Sequence, residues 1–403
     1  MRRAPAQPSR TPREIWVLIA AAFIIALGYG IIAPVLPQYA QQFDVGVAAA
    51  SMIVSAFAAM RLLFTPAGGW LVTRFRERIV YVVGLFIVAA STAACAFAQS
   101  YVQLLVFRGL GGIGSTMFTI AAMGLIVRLA PPQLRGRTSA LYGTSFLVGN
   151  VVGPVLGSAL SFLGFRAPFL IYAVALVIAA IVAATFLSTA QLRPASEGEE
   201  RPAVLSLREA LANPAYRAVL VANFAHGWTN FGVRVALIPL FAAAVPTIGA
   251  PMAGLGLTAF ALGNFLTLQG SGRLVDSRGR RPVVLIGLLV CGLANIAFGW
   301  VTGIPLFLTL SALGGAGAAL VAPAQQAALA DIVGRDRSGG QAIAAFSMAS
   351  DLGAILGPMA AGLLAGRFGF GFAFGSTGVL LLLAGVPWLL TRDTVVRDEQ
   401  PVT

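Results

Sequence analysis

Gly149-Asn150-Val151-Val152-Gly153-Pro154-Val155-Leu156-Gly157 lies inside an apolar run from about residue 140 to 162, long enough to cross a bilayer as a helix. Its three glycines fall four residues apart, so they form one smooth stripe on a single helix face. Pro154 removes a backbone donor beside that stripe and bends or stiffens the helix there. Such a stripe lets a neighbour approach closely, and bulk at Gly153 is expected to wedge the two halves of the molecule apart. An echo follows in Gly353-Ala354-Ile355-Leu356-Gly357-Pro358, with Gly362 beyond it. The two stretches divide the chain into related halves.

The composition agrees with a chain built in lipid. Of 403 residues, 58% are hydrophobic and only 10% charged, and the mean hydropathy is +0.87. An ordinary soluble domain carries about 25% charged residues, so several bilayer-length runs are required here. The basic, Pro-rich stretch 1–13 precedes a run too long for a signal-peptide core, which reads as a retained first span. Cys95 and Cys291 both sit in apolar runs, which argues for small packing residues and against a disulfide or a metal site.

A net charge of +13 raises nucleic acid as a partner, but its placement answers otherwise. Every basic residue is Arg, and the arginines cluster between alternate apolar runs. They read as cytoplasmic anchors of a membrane protein, with no role for nucleic acid. Apolar spans fall near 14–39, 47–72, 79–98, 101–129, 138–163 and 167–190. After a polar break they continue near 217–244, 252–275, 282–302, 304–332, 339–365 and 369–391. The arginine-rich loops and both tails then share one side, so the termini are cytoplasmic and the span count is twelve. The expected organisation is a tail over 1–13, a six-helix half over 14–190, a linker over 191–216, a second six-helix half over 217–391 and a tail over 392–403. The linker carries Pro194, Ser196, Glu197, Gly198, Glu199, Glu200 and Pro202. It reads as solvated, with a short surface helix near 205–212.

The repeat is quantitative. Gly30 and Pro37 match Gly232 and Pro239, Gly69 matches Gly272, Gly111 matches Gly314, and Gly153-Pro154 matches Gly357-Pro358. Subtraction gives offsets of 202, 203, 203 and 204. Two pseudo-symmetric six-helix halves around a central cavity follow from that register.

Motif chemistry narrows the class. Gly272-Arg273-Leu274-Val275-Asp276-Ser277-Arg278-Gly279-Arg280-Arg281 resembles the loop signature G-x-L-x-D-x-x-G-R-R of the major facilitator superfamily. Gly272 is expected to allow a close helix contact and Gly279 a tight turn. Asp276 is expected to sit against a neighbouring helix N-terminus, with Arg280 and Arg281 on the aqueous face. The first-half counterpart, Gly69 to Arg78, has Thr73 in place of the acid and Arg76 in place of the turn glycine. Glu77 offers a substitute charge from a different position. Cytoplasmic closure is therefore expected to depend on Asp276 and little on Thr73. Gly149-x-x-x-Gly153-Pro154-x-x-Gly157-Ser158 resembles the antiporter motif of the superfamily's twelve-span drug/proton exporters. Leu104-x-x-x-Arg108-x-x-Gly111-Gly112-x-Gly114 is similar to their fourth-span motif. The resemblance implies an all-α major facilitator fold in a cell membrane, and export of amphipathic small molecules by alternating access. It implies a proton as the coupling ion and no other cofactor; the reading is of a monomer.

Four ionisable side chains fall well inside spans: Arg61, Arg108, Arg234 and Asp351. Each costs roughly 3 kcal/mol at the bilayer centre, or about 12 kcal/mol together. That rivals the net stability of a whole domain, about 5–15 kcal/mol, so they must pair or face water. Asp351 reads either as a structural ion pair or as the proton carrier, with Arg234 or Arg61 biasing its charge. His226 reads as a polar contact between helices, with a proton relay as its sharper alternative. Asn150, Asn223, Asn230, Asn264, Gln269, Asn295, Gln325 and Gln326 are candidate cavity groups, most of them expected in interhelical hydrogen bonds. No nucleotide loop, catalytic dyad or metal cluster is legible, and an enzyme is a poor reading. Two other functions stay open: a narrow-substrate porter for a sugar, a metabolite or a lipid-like compound, and a non-transporting sensor or scaffold.

Overall fold

The computed structural model describes residues 13–129, 135–187, 203–334, 337–338 and 340–394. The expected N-terminal tail up to residue 12, the expected linker over 191–202 and the expected C-terminal tail beyond residue 394 lie outside them. Among the described residues, eleven continuous helices are long and apolar enough to cross a bilayer. They match the expected spans closely: span five is Arg135–Leu160, span ten Ile304–Val333 and span eleven Gly340–Phe368.

Two spans depart from a single rod. Span one is helical over Arg13–Ile32, breaks, and resumes as Leu36–Gln41, with Pro37 in the first turn of the second piece. Proline is tolerated there because that N–H has no helical partner. Span seven is three pieces: an α-helix at Pro214–His226, a π-helix at Gly227–Val233 and an α-helix at Arg234–Ala244. Asn213 caps its start by accepting from Ala215 N–H. With span seven counted, the architecture is the expected twelve-helix one.

The expected surface helix is present as Leu207–Ala212, capped by Ser206. Just before it, β1 (Ala203–Val204) pairs in parallel with β2 (Arg337–Ser338), in register Ala203↔Arg337 and Val204↔Ser338. Leu207 N–H donates to Gln341 and Tyr216 OH to Ala342 O, so the end of the linker is tied to the start of span eleven.

The chain forms two compact units. The first is Met1–Ile32 with Met60–Glu199; the second is Ala33–Ala59 with Glu200–Thr403. Within the second, Gln38 Nε2 donates to Pro239 O and Ser55 Oγ donates to Ile355 O, which ties Ala33–Ala59 to spans seven and eleven. Its interior is filled by Tyr216, Val284, Leu288, Ala324 and Trp388. Phe241, Phe298, Phe307, Phe370 and Phe374 form an aromatic cluster with ring centroids 4.9–6.4 Å apart. Such contacts add roughly 0.5–1.5 kcal/mol per pair beyond burial. Both cysteines are buried free thiols.

Candidate functional site: the glycine stripes, the intramembrane polar groups and the loop clasps

The glycine stripe of span five meets span one, within the first unit. A Cβ added at Gly149 would lie 2.7 Å from Phe23 O, at Gly153 2.5 Å from Leu27 O, and at Gly157 2.2 Å from Ile31 O. These distances admit glycine alone. Gly30 answers from span one, its own added Cβ 2.8 Å from Pro154 Cδ. Bulk at Gly153 would therefore push span five off span one inside one unit, which corrects the expectation that it wedges the halves apart. The echo is reproduced in the second unit. Gly353 and Gly357 of span eleven lie against Phe224 O, Trp228 N and Trp228 O of span seven, and Gly232 lies against Pro358.

Span seven carries four of the polar candidates: Asn223, His226, Asn230 and Arg234. His226 Nδ1 and Asn230 Nδ2 are 3.1 Å apart. Arg234 Nη2 donates to Asn230 O at 2.7 Å, and its guanidinium carbon lies 3.4 Å from the centre of the Phe260 ring. The π register explains the first contact. The Arg234 N–H bonds Thr229 O, five residues back, so the guanidinium takes up the Asn230 carbonyl that an α-turn would have assigned to that N–H. Asp351 is half-buried on span eleven. It follows Ser350, whose carbonyl would be 2.0 Å from a Cβ at Gly227, so its turn abuts the start of the π segment.

The first unit holds Arg61 and Arg108. Arg108 is 6% exposed, with its guanidinium carbon 5.9 Å from the centre of the Tyr29 ring. A cation over an aromatic face gains roughly 2 kcal/mol or more when desolvated. Arg61 is half-buried on span two, and Thr116 Oγ1 of span four donates to its carbonyl at 3.0 Å.

The candidate amides are used in different ways. Asn223 Nδ2 donates to Phe346 O and Asn264 Nδ2 to Gly315 O, joining helices as expected. Asn150 and Asn295 instead bond the carbonyls of Phe146 and Cys291 in their own helices. Gln325 is wholly buried, and neither of its amide atoms has a hydrogen-bond partner. Gln269 and Gln326 are exposed.

The loop signature is rearranged relative to the expectation. Gly279 has φ +97°, the tight turn that favours glycine. Gly272 has nothing within 4 Å of an added Cβ, so it makes no close helix contact. Asp276 is 78% exposed and only 3.7 Å from Arg280, one turn ahead of it. The acid at the N-terminus of span nine is Asp393, which accepts from the N–H groups of Arg280 and Arg281 at 3.2 and 3.4 Å. Arg280 does not stay on the aqueous face. Its side chain is 15% exposed and bonds Asp331 of span ten at 2.9 Å. Arg281 Nη2 donates to Leu389 O at 2.9 Å.

The first-half corner is built on the same plan. Glu77, 6% exposed, bonds Arg128 of span four at 2.9 Å, and Arg78 donates to Ala184 O. Subtraction gives 203 for Arg280 against Glu77 and 203 for Asp331 against Arg128. The two ion pairs occupy matching positions with their charges exchanged. Arg128, Asp331 and Asp393 were not legible as members of the loop motif. The only signal for the first two was their shared offset of 203.

The family model described as Major Facilitator Superfamily matches residues 18–245 and 219–402. The chain is 27% identical over 157 residues to the Quinolone resistance protein NorA of Staphylococcus aureus, covering 39% of this chain and 40% of that one. It is 33% identical over 169 residues to Multidrug resistance protein 2 of Bacillus subtilis, covering 42% and 41%. The match thus spans about two fifths of the length of these curated relatives. A bacterial homolog of the human lysosomal transporter Spinster, in an inward-facing and occupied conformation, superposes with a TM-score of 0.79. It is 17% identical and aligns over 95% of this chain and 97% of that one. A POT family transporter superposes at 0.75 with 13% identity, over 94% and 96%. Together with the twelve-helix plan and its repeated stripes, the match over nearly the whole length leaves one assignment: the chain belongs to the Major Facilitator Superfamily.

Proposed function

We propose that the protein exports amphipathic small molecules from the cell in exchange for protons, by alternating access. The observation that carries this reading is the Gly-Pro stripe, with Gly149, Gly153 and Gly157 seated on the main chain of span one. Backbone contact of that kind packs the two helices closely enough to move as one body. The relatives are named for quinolone and multidrug resistance, which supports small amphipathic molecules as the substrate class.

Asp351 is the group to which proton carriage is assigned. A carboxylate at mid-membrane is costly when charged and much cheaper when neutral, so its protonation tracks its solvation. Any conformational change that alters that solvation is linked to proton binding, and the linkage is reciprocal. The protein is taken to act as a monomer in the cell membrane with both termini cytoplasmic, with the proton as coupling ion and no enzymatic step. Cells overexpressing it are expected to expel a lipophilic cationic dye, and a protonophore is expected to stop that export. Export that continues at the same rate with the protonophore present contradicts the proposal.

A further inference from the structure

The second unit encloses a small chamber beside the π segment, walled by Thr229, Asn230, Arg234, Asn295, Ser311 and Phe298 among others. Its enclosed part has room for roughly two water molecules. Thr229 Oγ1 and Asn230 Oδ1, both on its wall, have no hydrogen-bond partner. Thr229 is 3% exposed and Asn230 4%, so neither atom is served by bulk solvent.

The π register accounts for the threonine. Thr65, Thr185, Thr309 and Thr377 each donate to the carbonyl four residues back, as threonines in α-helices do. Thr229 sits inside the widened helix and has no such bond. For the asparagine, Nδ2 is turned to His226, which leaves Oδ1 for the chamber. Buried polar groups at membrane depth require partners, because lipid supplies none.

The chemistry of the wall selects the partner. Asn230 Oδ1 accepts and cannot serve an anion. The guanidinium of Arg234 lines the same wall and repels a metal cation. Ser311 Oγ donates to Phe307 O and has lone pairs left, while Thr229 both donates and accepts. A small neutral molecule that donates and accepts fits every position. We propose that Thr229 and Asn230 hold ordered water in this chamber, making it a hydrated site inside the second half of the molecule. That water joins the π segment to spans nine and ten through Asn295 and Ser311, and it meets the backbone groups that a change of helical register would free.

Thr229→Val keeps the side chain's shape and removes its hydroxyl, so the sign of its effect decides. In a hydrated chamber it strips the water of an anchor and lowers Tm by about 2 °C or more, with Thr229→Ser close to wild type. In a dry chamber it removes an unsatisfied hydroxyl, and Tm rises. A Tm that rises or stays unchanged overturns the proposal. Should Thr229→Val fail to fold, the wild-type protein answers alone. A high-resolution map is expected to show water peaks within hydrogen-bond distance of both Thr229 Oγ1 and Asn230 Oδ1. A chamber without those peaks, or one that takes up xenon as dry apolar cavities do, overturns it.

Discussion

The corner where span three begins and the corner where span nine begins share a plan and differ in sign. Glu77 and Arg128 close one; Arg280 and Asp331 close the other; both contacts are 2.9 Å. Arg78 and Arg281 do the same work in each, donating to a carbonyl at the end of span six or span twelve. An ion pair works with either polarity, so exchanging the two charges preserves the joint between the helices. What it changes is the surrounding cast. With Arg280 at the helix start, Asp393 supplies the negative charge that a helix N-terminus favours. With Glu77 at the helix start, the acid is already there, and Arg76 needs no turn glycine, being extended at φ −66° and ψ 139°. The first-half loop is therefore no decayed copy of the second. It solves the same joint with the opposite charge.

The comparison breaks hardest at the feature the halves share without any change. Gly153→Leu and Gly357→Leu each force a side chain into backbone 2.5–2.6 Å from the Cβ position. Both are expected to reduce dye export to background, each by loosening one helix pair within its own unit. Disulfide trapping of spans one and five, or seven and eleven, reads the loosening. Near-normal export from either variant breaks the equivalence.

The charge exchange is tested next. Arg128→Asp leaves buried Glu77 facing a like charge and is expected to cost about 2–3 kcal/mol. That lies below the range for fully buried pairs because Arg128 is 40% exposed. Adding Glu77→Arg rebuilds the polarity of Arg280–Asp331 and is expected to recover most of the lost thermal stability. A double variant no better than Arg128→Asp alone shows that the corners are not interchangeable.

Asp393→Asn keeps an acceptor at the start of span nine and loses only its charge, an expected cost of about 1 kcal/mol. No matching loss follows at Glu77's helix, which has its own acid. Smallest of all is Asp276→Asn. Because Asp276 is 78% exposed, its removal is expected to cost less than about 0.5 kcal/mol and to leave the conformational balance nearly unchanged. Cysteine accessibility from the cytoplasmic side measures that balance, and a large shift returns Asp276 to the gating role its motif implies.

These corners also show what a sequence does and does not disclose. The spans were legible because lipid demands long apolar runs, and the halves because glycine and proline cannot be replaced where backbones touch. Gly272 misled because a motif position was equated with a contact that the fold does not make there. The Glu77–Arg128 pair spans 51 residues, and the signature directed attention to Asp276 and its missing counterpart at Thr73. The π segment could not be read at all. Gly227-Trp228-Thr229-Asn230-Phe231-Gly232-Val233 continues an apolar run, and no residue in it marks the single widened turn. Here Gly227 and Gly232 meet Ser350 and Pro358 of span eleven.

The central claim is that proton flow through Asp351 drives export, and everted membrane vesicles test it directly. Acidifying the vesicle lumen relative to the bath is expected to drive uphill dye uptake by the wild-type protein. Asp351→Asn, fixed in the neutral form, is expected to lose that uptake while retaining dye binding and downhill exchange. Uptake by wild type that ignores the imposed pH difference, or by Asp351→Asn that responds to it as wild type does, contradicts the account.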